Sequence, residues 1–307
     1  MHFRPHTLRA TVPATLAGER LDKAIPVLFP AVSRTKARTI LTHGGVWQGD
    51  RRIKTVSMQV TEGMELVVVY PPDFVYPSLT LGEHDILWED EWLLALRKQA
   101  GWYVQPTAWD IFGNVEHALH DFLRAGNTKG VKLHLTHRLD RETSGVLIVS
   151  KRPEINGKMQ RLWSTGGVEK RYLALVAGAP ASDWTSDEPL GPGPNAKYRV
   201  DRERGRAALT LFTVLSKSPG EAYAEVEAEP KTGRTHQIRI HAAHHGHPLL
   251  GDVRYGGPAA VNEHPVERVM LHSRRLAFRH PVTGAAVTLE AEPPADYVAT
   301  RSAALSL

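Results

Sequence analysis

The chain has 307 residues, no cysteine and a formal net charge of +5 with a pI near 9.4. The missing cysteines exclude disulfides, thiolate metal sites and cysteine nucleophiles, and suit a reducing compartment. The length allows two domains of ~100–200 residues. No run approaches the ~20 apolar residues of a membrane span. Residues 1–7 lack an apolar signal core, so the expectation is a soluble cytoplasmic protein with no membrane partner. Residues 1–78 hold ten Lys/Arg against six Asp/Glu, net +4, which leaves only +1 for the rest. A polyanion such as RNA would feel that basic N-terminal end through counterion release.

In chain order, residues 21–41 carry two short helical patterns: Leu21, Ala24, Ile25 and Leu28, then Ala37, Ile40 and Leu41. Ser33 is a candidate N-cap and Gly44 a C-terminal stop, while Pro26 should kink or shorten the first helix. On the second helix Arg34 and Arg38 lie four apart on one face and Lys36 borders the apolar stripe, so cations flank it on both sides. Residues 46–53, with a Gly49-Asp50 turn, predict a hairpin carrying Arg51, and residues 66–69 a further strand. Residues 18–70 resemble the small RNA-binding module named after the fourth small-subunit ribosomal protein, two helices and a hairpin sheet. The resemblance rests on Arg-Leu-Asp-Lys-Ala (20–24), Ser-Arg-Thr-Lys-Ala-Arg (33–38), Gly44-Gly45-Val46 and Glu-Gly-Met-Glu-Leu (62–66), with Gly63-Met64 where Gly-Asp is usual. It implies RNA contacts from Arg34, Lys36, Arg38 and Arg51.

The proline-rich stretch 71–80 reads as a linker between a module at 1–70 and a second domain at 81–307. There, residues 86–97 predict two strands around Glu89-Asp90-Glu91. Val115, Ala118, Leu119, Phe122 and Leu123 predict an amphipathic helix ending near Gly126. A helix over 155–163, strands over 171–177 and 222–228, and a surface loop over 185–206 follow.

The run from Thr136 to Ser150 sets Asp140 between Arg138 and Arg141, ahead of the β-branched strand 146–149. Cations within ~4–6 Å favour the carboxylate form, and an ionised carboxylate can act as base or nucleophile. Read alone, Asp140 would be half of a surface ion pair. It is not alone. Lys170-Arg171-Tyr172-Leu173-Ala174 and Lys231-Thr232-Gly233-Arg234-Thr235-His236-Gln237-Ile238-Arg239-Ile240-His241 follow it, continuing to Leu250-Gly251-Asp252, with Arg206-Ala207-Ala208-Leu209-Thr210 between them. In order and spacing these segments resemble the catalytic domain of the RluA-type pseudouridine synthases, from about residue 80 to the end.

That resemblance implies Asp140 as the essential aspartate, Tyr172 as the ring against the target uracil, and Arg239 as the cation paired with Asp140. It makes Arg138 the arginine that helps extrude the nucleotide and Arg234 a further RNA contact. Isomerising uridine breaks N1–C1′, joins C5 to C1′ and removes the C5 proton. No electron or atom is lost, so no cofactor and no metal are expected. Asp140 either adds to C1′ or promotes a glycal by deprotonation at C2′. A base inside a helix is unreachable, so the nucleotide must flip out, at a cost of about a few kcal/mol. The expected substrate is large-subunit rRNA, with tRNA second, and the expected state is a monomer.

Other readings are weaker. His236, His241, His244, His245 and His247 crowd one segment but lack a His-Glu-x-x-His spacing and a nearby acidic third ligand before Asp252. Ser144 lacks the glycine that a Gly-x-Ser-x-Gly elbow needs, because Glu142 stands there. The alternative of another class is an inactive RNA-binding or ribosome-assembly protein on the same fold. Where the family usually reads Asn-Lys-Pro-x-Gly-x-x-Val, this chain has residues 96–106, and the glycine-rich sequel is replaced by Thr107-Ala108-Trp109-Asp110-Ile111. For Trp102, Tyr103 and Trp109 packing is favoured over stacking on bases. The expected fold is α+β: a small helix-helix-hairpin module followed by a mixed, largely antiparallel sheet domain.

Overall fold

The computed structural model describes residues 5–126, 131–194 and 197–305. They form two compact units. One runs to Leu81 and takes in Tyr103–Gly126; the other comprises Gly82–Trp102 and the described residues beyond 126. Among the described residues no helix is long and apolar enough to cross a membrane.

The first unit opens with β1 (His6–Thr11), which the sequence pattern did not predict, followed by α1 (Leu21–Leu28) and α2 (Arg34–His43). The Ser33 hydroxyl caps α2 by accepting from the Lys36 amide, and Gly44 ends it in the left-handed region at φ 78°. Pro26 lies inside α1, which stops two residues later, so its missing N–H deprives only the carbonyl one turn back. Strands β2 (Val46–Gln48), β3 (Arg51–Ile53) and β4 (Glu65–Tyr70) join β1 in the order β1-β4-β2-β3, all antiparallel. Leu21, Ile25, Ile40, Leu41, Val46, Leu66 and Val68 make the core between helices and sheet. Phe74 packs against it and stacks on Tyr70 at 4.5 Å.

Helix α3 (Val115–Ala125) also belongs to this unit, entered through a turn closed by Asp110, whose carboxylate accepts from the Phe112 and Gly113 amides. The turn is tied to the small sheet: Trp47 Nε1 donates to the Ala108 carbonyl at 2.7 Å and Arg52 to Thr107 at 2.7 Å, and the Ile111 amide donates to His43 at 3.0 Å. Trp109 is buried and meets Tyr103 edge-on at 5.6 Å. These aromatic side chains pack. They do not present themselves as an open stacking platform.

The second unit is built on a ten-stranded sheet. Its strands are β5 (Ile86–Glu89), β6 (Leu93–Lys98), β7 (His134–Leu135), β8 (Ser144–Ser150), β9 (Val168–Ala177), β10 (Trp184–Ser186), β13 (Thr210–Lys217), β14 (Tyr223–Pro230), β17 (Leu271–Arg279) and β18 (Ala286–Glu290). The main path is β10-β13-β14-β9-β17-β8-β6-β5, with β18 on β17 and β7 on β8. Among the described strands only β17 and β8 pair in parallel. Every residue of β8 is buried, which is why it reads as one unbroken apolar run. Helices α4 (Asn156–Ser164), α5 (Gln237–His244) and α6 (Ala295–Leu305) complete the unit. Residues 185–206, expected as a loop, instead carry the end of β10 and the ribbon of β11 (Leu190–Pro192) and β12 (Tyr198–Val200). Three-residue strands broken by proline and glycine are too short to show a period of two. A second small ribbon joins β15 (Ala260–Val261) to β16 (His264–Pro265).

Candidate active site

Asp140 stands on the loop between β7 and β8, followed by a turn in which the Thr143 amide donates to its carbonyl at 3.1 Å. The loop is pinned from beneath. The fully buried Lys98 at the end of β6 donates from Nζ to the carbonyls of Gln99, Arg141 and Thr143 at 3.0, 3.0 and 2.8 Å. Arg268, paired with Asp296, donates to the Glu142 carbonyl at 3.1 Å. Gly145 then passes against β17 at φ 116°, where a Cβ would lie 2.1 Å from the Ser273 carbonyl oxygen. Only glycine fits that crossing.

Arg239 on α5 is buried, where a helix-surface arginine would be exposed. Its Nη1 donates to Asp140 Oδ2 at 3.1 Å, while Nε and Nη2 grip the buried Asp252 at 2.7 and 2.8 Å. Burial alone would weaken the guanidinium's charge, but Asp252 and then Asp140 outweigh it and raise its pKa. The fork has a fixed aim. Asp252 is in place because Gly251 turns at φ 78°, with a Cβ position only 1.8 Å from the Arg268 carbonyl oxygen.

Asp140, Arg239 and Tyr172 line one cavity of about 640 Å³, with Arg138, Lys170 and Arg234 also on its walls. Tyr172 is held on β9, opposite Ala228 on β14 and Ser273 on β17, and burial pushes its hydroxyl up to about 12. It therefore keeps its proton at neutral pH. Lys170 donates to the Thr232 carbonyl at 3.0 Å, and burial lowers it to about 8. Arg138 is exposed; Arg234 is half-buried, with Nε on the Ala207 carbonyl at 3.0 Å. Gln237 secures the loop before α5, accepting from Thr232 and the Arg234 amide and donating to Leu209 and Thr210.

The five histidines scatter. His241 spans Thr210 and the Glu188 carbonyl, both at 2.9 Å; His244 faces Glu188 at 3.5 Å; His247 meets the Ala177 carbonyl at 3.2 Å; His236 looks into the cavity. Among the described residues no group of three His, Cys, Asp or Glu side chains could hold a metal ion.

The RNA pseudouridylate synthase family matches residues 93–244, and the S4 domain matches residues 19–66. The ribosomal large subunit pseudouridine synthase D of Xanthomonas campestris pv. campestris is 31% identical, over 94% of this chain and 89% of that protein. Its namesake in Pseudomonas aeruginosa is 31% identical, over 94% of this chain and 93% of that protein. Human RNA pseudouridylate synthase domain containing 4 has a similar structure, with a TM-score of 0.59 and 25% identity over 71% of this chain and 92% of that one. The chain belongs to the RNA pseudouridylate synthase family.

The synthase's S4 region deploys its cations less freely than its helical pattern suggests. Arg34 Nε and Arg38 Nε donate to Asp22 Oδ2 at 3.1 and 3.0 Å, and Arg20 to Oδ1 at 2.9 Å. Asp22 is fully buried, so these arginines lock α2 to α1 while their outer faces stay about half exposed. Lys36 Nζ lies 4.1 Å over the Phe74 ring, and Arg51 is exposed at the hairpin. Sequence reasoning missed Asp252 and Lys98 as supports of the synthase's Asp140 loop. Asp252 was within the third motif, and an acid thirteen residues after a buried arginine carries no local period. Lys98 falls in the segment 96–106 that departs from the family pattern, where no motif singles it out.

Proposed function

We propose that this synthase isomerises specific uridines of large-subunit ribosomal RNA, with tRNA the second choice, in the cytoplasm and as a monomer. The names of the relatives from Xanthomonas and Pseudomonas, matched over most of both chains, support the choice of RNA. The observation that carries the mechanism is Arg239 held bidentately by Asp252 and offered by its remaining nitrogen to Asp140, beside Tyr172 in one cavity.

In this reading Asp140, Tyr172 and Arg239 are the catalytic residues. Arg239 orients Asp140, and the carboxylate either adds to C1′ or takes the C2′ proton. N1–C1′ breaks, the uracil turns, C5–C1′ forms, the C5 proton leaves and N1 gains one, so the atoms balance with no cofactor. Tyr172 offers its face to the uracil, with a hydroxyl that holds its proton until another replaces it. The target nucleotide flips out, and the exposed Arg138 fills the vacated space and meets phosphates. Arg234 at the cavity and Arg34, Lys36, Arg38 and Arg51 on the S4 region add further RNA contacts. The functional division is residues 1–70 for RNA binding, 71–80 as connection and 81–307 for catalysis.

The test is pseudouridine mapping of total RNA from a deletion strain complemented with wild type or with Asp140→Asn. Sites lost on deletion should return only with wild type. Sites restored equally by Asp140→Asn would reject the aspartate mechanism and revive the inactive RNA-binding reading.

A further inference from the structure

His236 is the one histidine of the third motif that turns into the cavity, and it does so at a backbone cost. It stands just before α5 with φ 56° and ψ 22°, the left-handed region that non-glycine residues seldom occupy. Such strain persists where the surroundings hold it, and here they do: the Ile240 amide donates to the His236 carbonyl at 2.9 Å. The conformation brings Nε2 to 3.8 Å from Asp140 Oδ2 and Nδ1 to 2.9 Å from the Tyr255 hydroxyl. Tyr255 also lies edge-on to the imidazole at 5.7 Å and 5.2 Å beneath the Arg239 guanidinium.

These contacts select a tautomer. In one tautomer the Tyr255 hydroxyl donates its proton to the lone pair of His236 Nδ1. The imidazole proton then sits on Nε2, facing the carboxylate. The other tautomer would aim a lone pair at an anion. Burial lowers the imidazole to about 4, so the ring is neutral at physiological pH and acts as an oriented N–H dipole.

Both Arg239 Nη1 and His236 Nε2 converge on Oδ2 of Asp140. No hydrogen bond from the described residues reaches Oδ1. We propose that His236, with its tautomer set by Tyr255, is a positioning residue that shares Asp140 Oδ2 with Arg239 and thereby reserves Oδ1 as the reacting oxygen. The 3.8 Å separation is longer than a hydrogen bond and closes by less than 1 Å when RNA fills the cavity, as catalytic contacts commonly do on substrate binding. This rests on the aspartate mechanism proposed above and adds to it which oxygen reacts and what holds the other.

The experiment uses the full chain and total RNA from the deletion strain labelled with tritium at uridine C5, which is released on isomerisation. Tyr255→Phe keeps the ring under Arg239 and removes only the hydroxyl, and should slow single-turnover release about tenfold. His236→Ala should slow it about a hundredfold, as expected for losing a hydrogen bond to a charged group. His236→Gln, which restores an N–H donor at similar reach, should recover most of that loss. RNA affinity by filter binding should stay within about twofold throughout, since the contact acts on the reacting group. Unchanged rates, equal losses in His236→Gln and His236→Ala, or losses confined to affinity would overturn the proposal. A wild type that releases no tritium would instead overturn the activity reading, and this inference with it.

Discussion

The molecule contains two buried aspartate–arginine clusters built on opposite plans. In the S4 region one carboxylate, Asp22, is surrounded by Arg20, Arg34 and Arg38, so both of its oxygens are taken. In the catalytic unit one guanidinium, Arg239, is divided between two carboxylates, and Asp252 takes the larger share. Surplus cation makes a saturated, inert acid that fastens two helices. Surplus acid leaves Asp140 oriented by a single charged hydrogen bond with an oxygen to spare. The same ion-pair chemistry is structural in one unit and poised in the other because of stoichiometry.

The largest effect should come from taking away the acid that aims the fork. Asp252→Ala leaves Arg239 buried with one partner, a loss of about 3–5 kcal/mol in folding free energy for a broken buried pair. The misaimed guanidinium should also cost roughly a hundredfold in turnover. Asp252→Asn, which keeps the shape and one acceptor oxygen, should lose less of both. Thermal melting and single-turnover rates measured together check this, and a variant with normal turnover would mean that Asp140 does not depend on how Arg239 is held.

A smaller effect is expected at Asp22, and it is sensitive to acid. Hydrogen bonds from Arg20, then Arg34 and Arg38, hold its carboxyl far below the usual range, against an opposing effect of burial. A carboxylate with a depressed folded pKa contributes stability that is present above its unfolded value near 4 and is lost as pH falls through the folded one. Melting of the wild type should therefore fall as pH drops below about 4, and Asp22→Asn should weaken that slope while lowering stability at neutral pH. Arg34 and Arg38 complicate any reading of RNA contacts, since replacing both with alanine loosens the helix pair as well. Arg51→Ala touches no such partner and should reduce the slope of RNA affinity against salt by about one unit, with turnover at saturating RNA unchanged.

The two clusters also differ in how far the sequence disclosed them. The strand from Val146, the loop bearing Asp140 and the Lys170–Tyr172 segment are local patterns, and α5 lies within a long contiguous motif, so they were legible. The α+β order of a small helical module before a sheet-rich domain followed from the same patterns. What stayed hidden was long-range. Asp22 reads as a solvated helix acid beside Arg20, and what covers it includes Arg34 and Arg38 from the next helix, which only the fold brings to it. Strand β1 alternates Leu8 and Ala10, packed on the core, with the exposed Thr7, Arg9 and Thr11, a period of two carried by only two apolar side chains within the strand. The turn at residues 107–111 takes its partners from Trp47, Arg52 and His43 of the small unit, which only the fold brings to it.

The smallest expected effect concerns Lys98, which sharpens the contrast because it supports the Asp140 loop without touching the acid's side chain. Three carbonyls accept from Nζ, and three protons are available only to the ammonium form. Burial lowers its pKa to about 7, with Asp140 pulling it back upward and Arg268 and Arg141 pushing it further down. As pH rises through that value the amine keeps two protons, and one of the three bonds to the loop is lost. Single-turnover rates should therefore decline a few-fold above about pH 7, the worth of one ordinary hydrogen bond. Lys98→Met fills the same space with no titrating group. Its rate should be lower at pH 6 and should lack the decline. A Lys98→Met profile that keeps the wild-type limb would assign that limb to another group and leave Lys98 as a purely structural anchor.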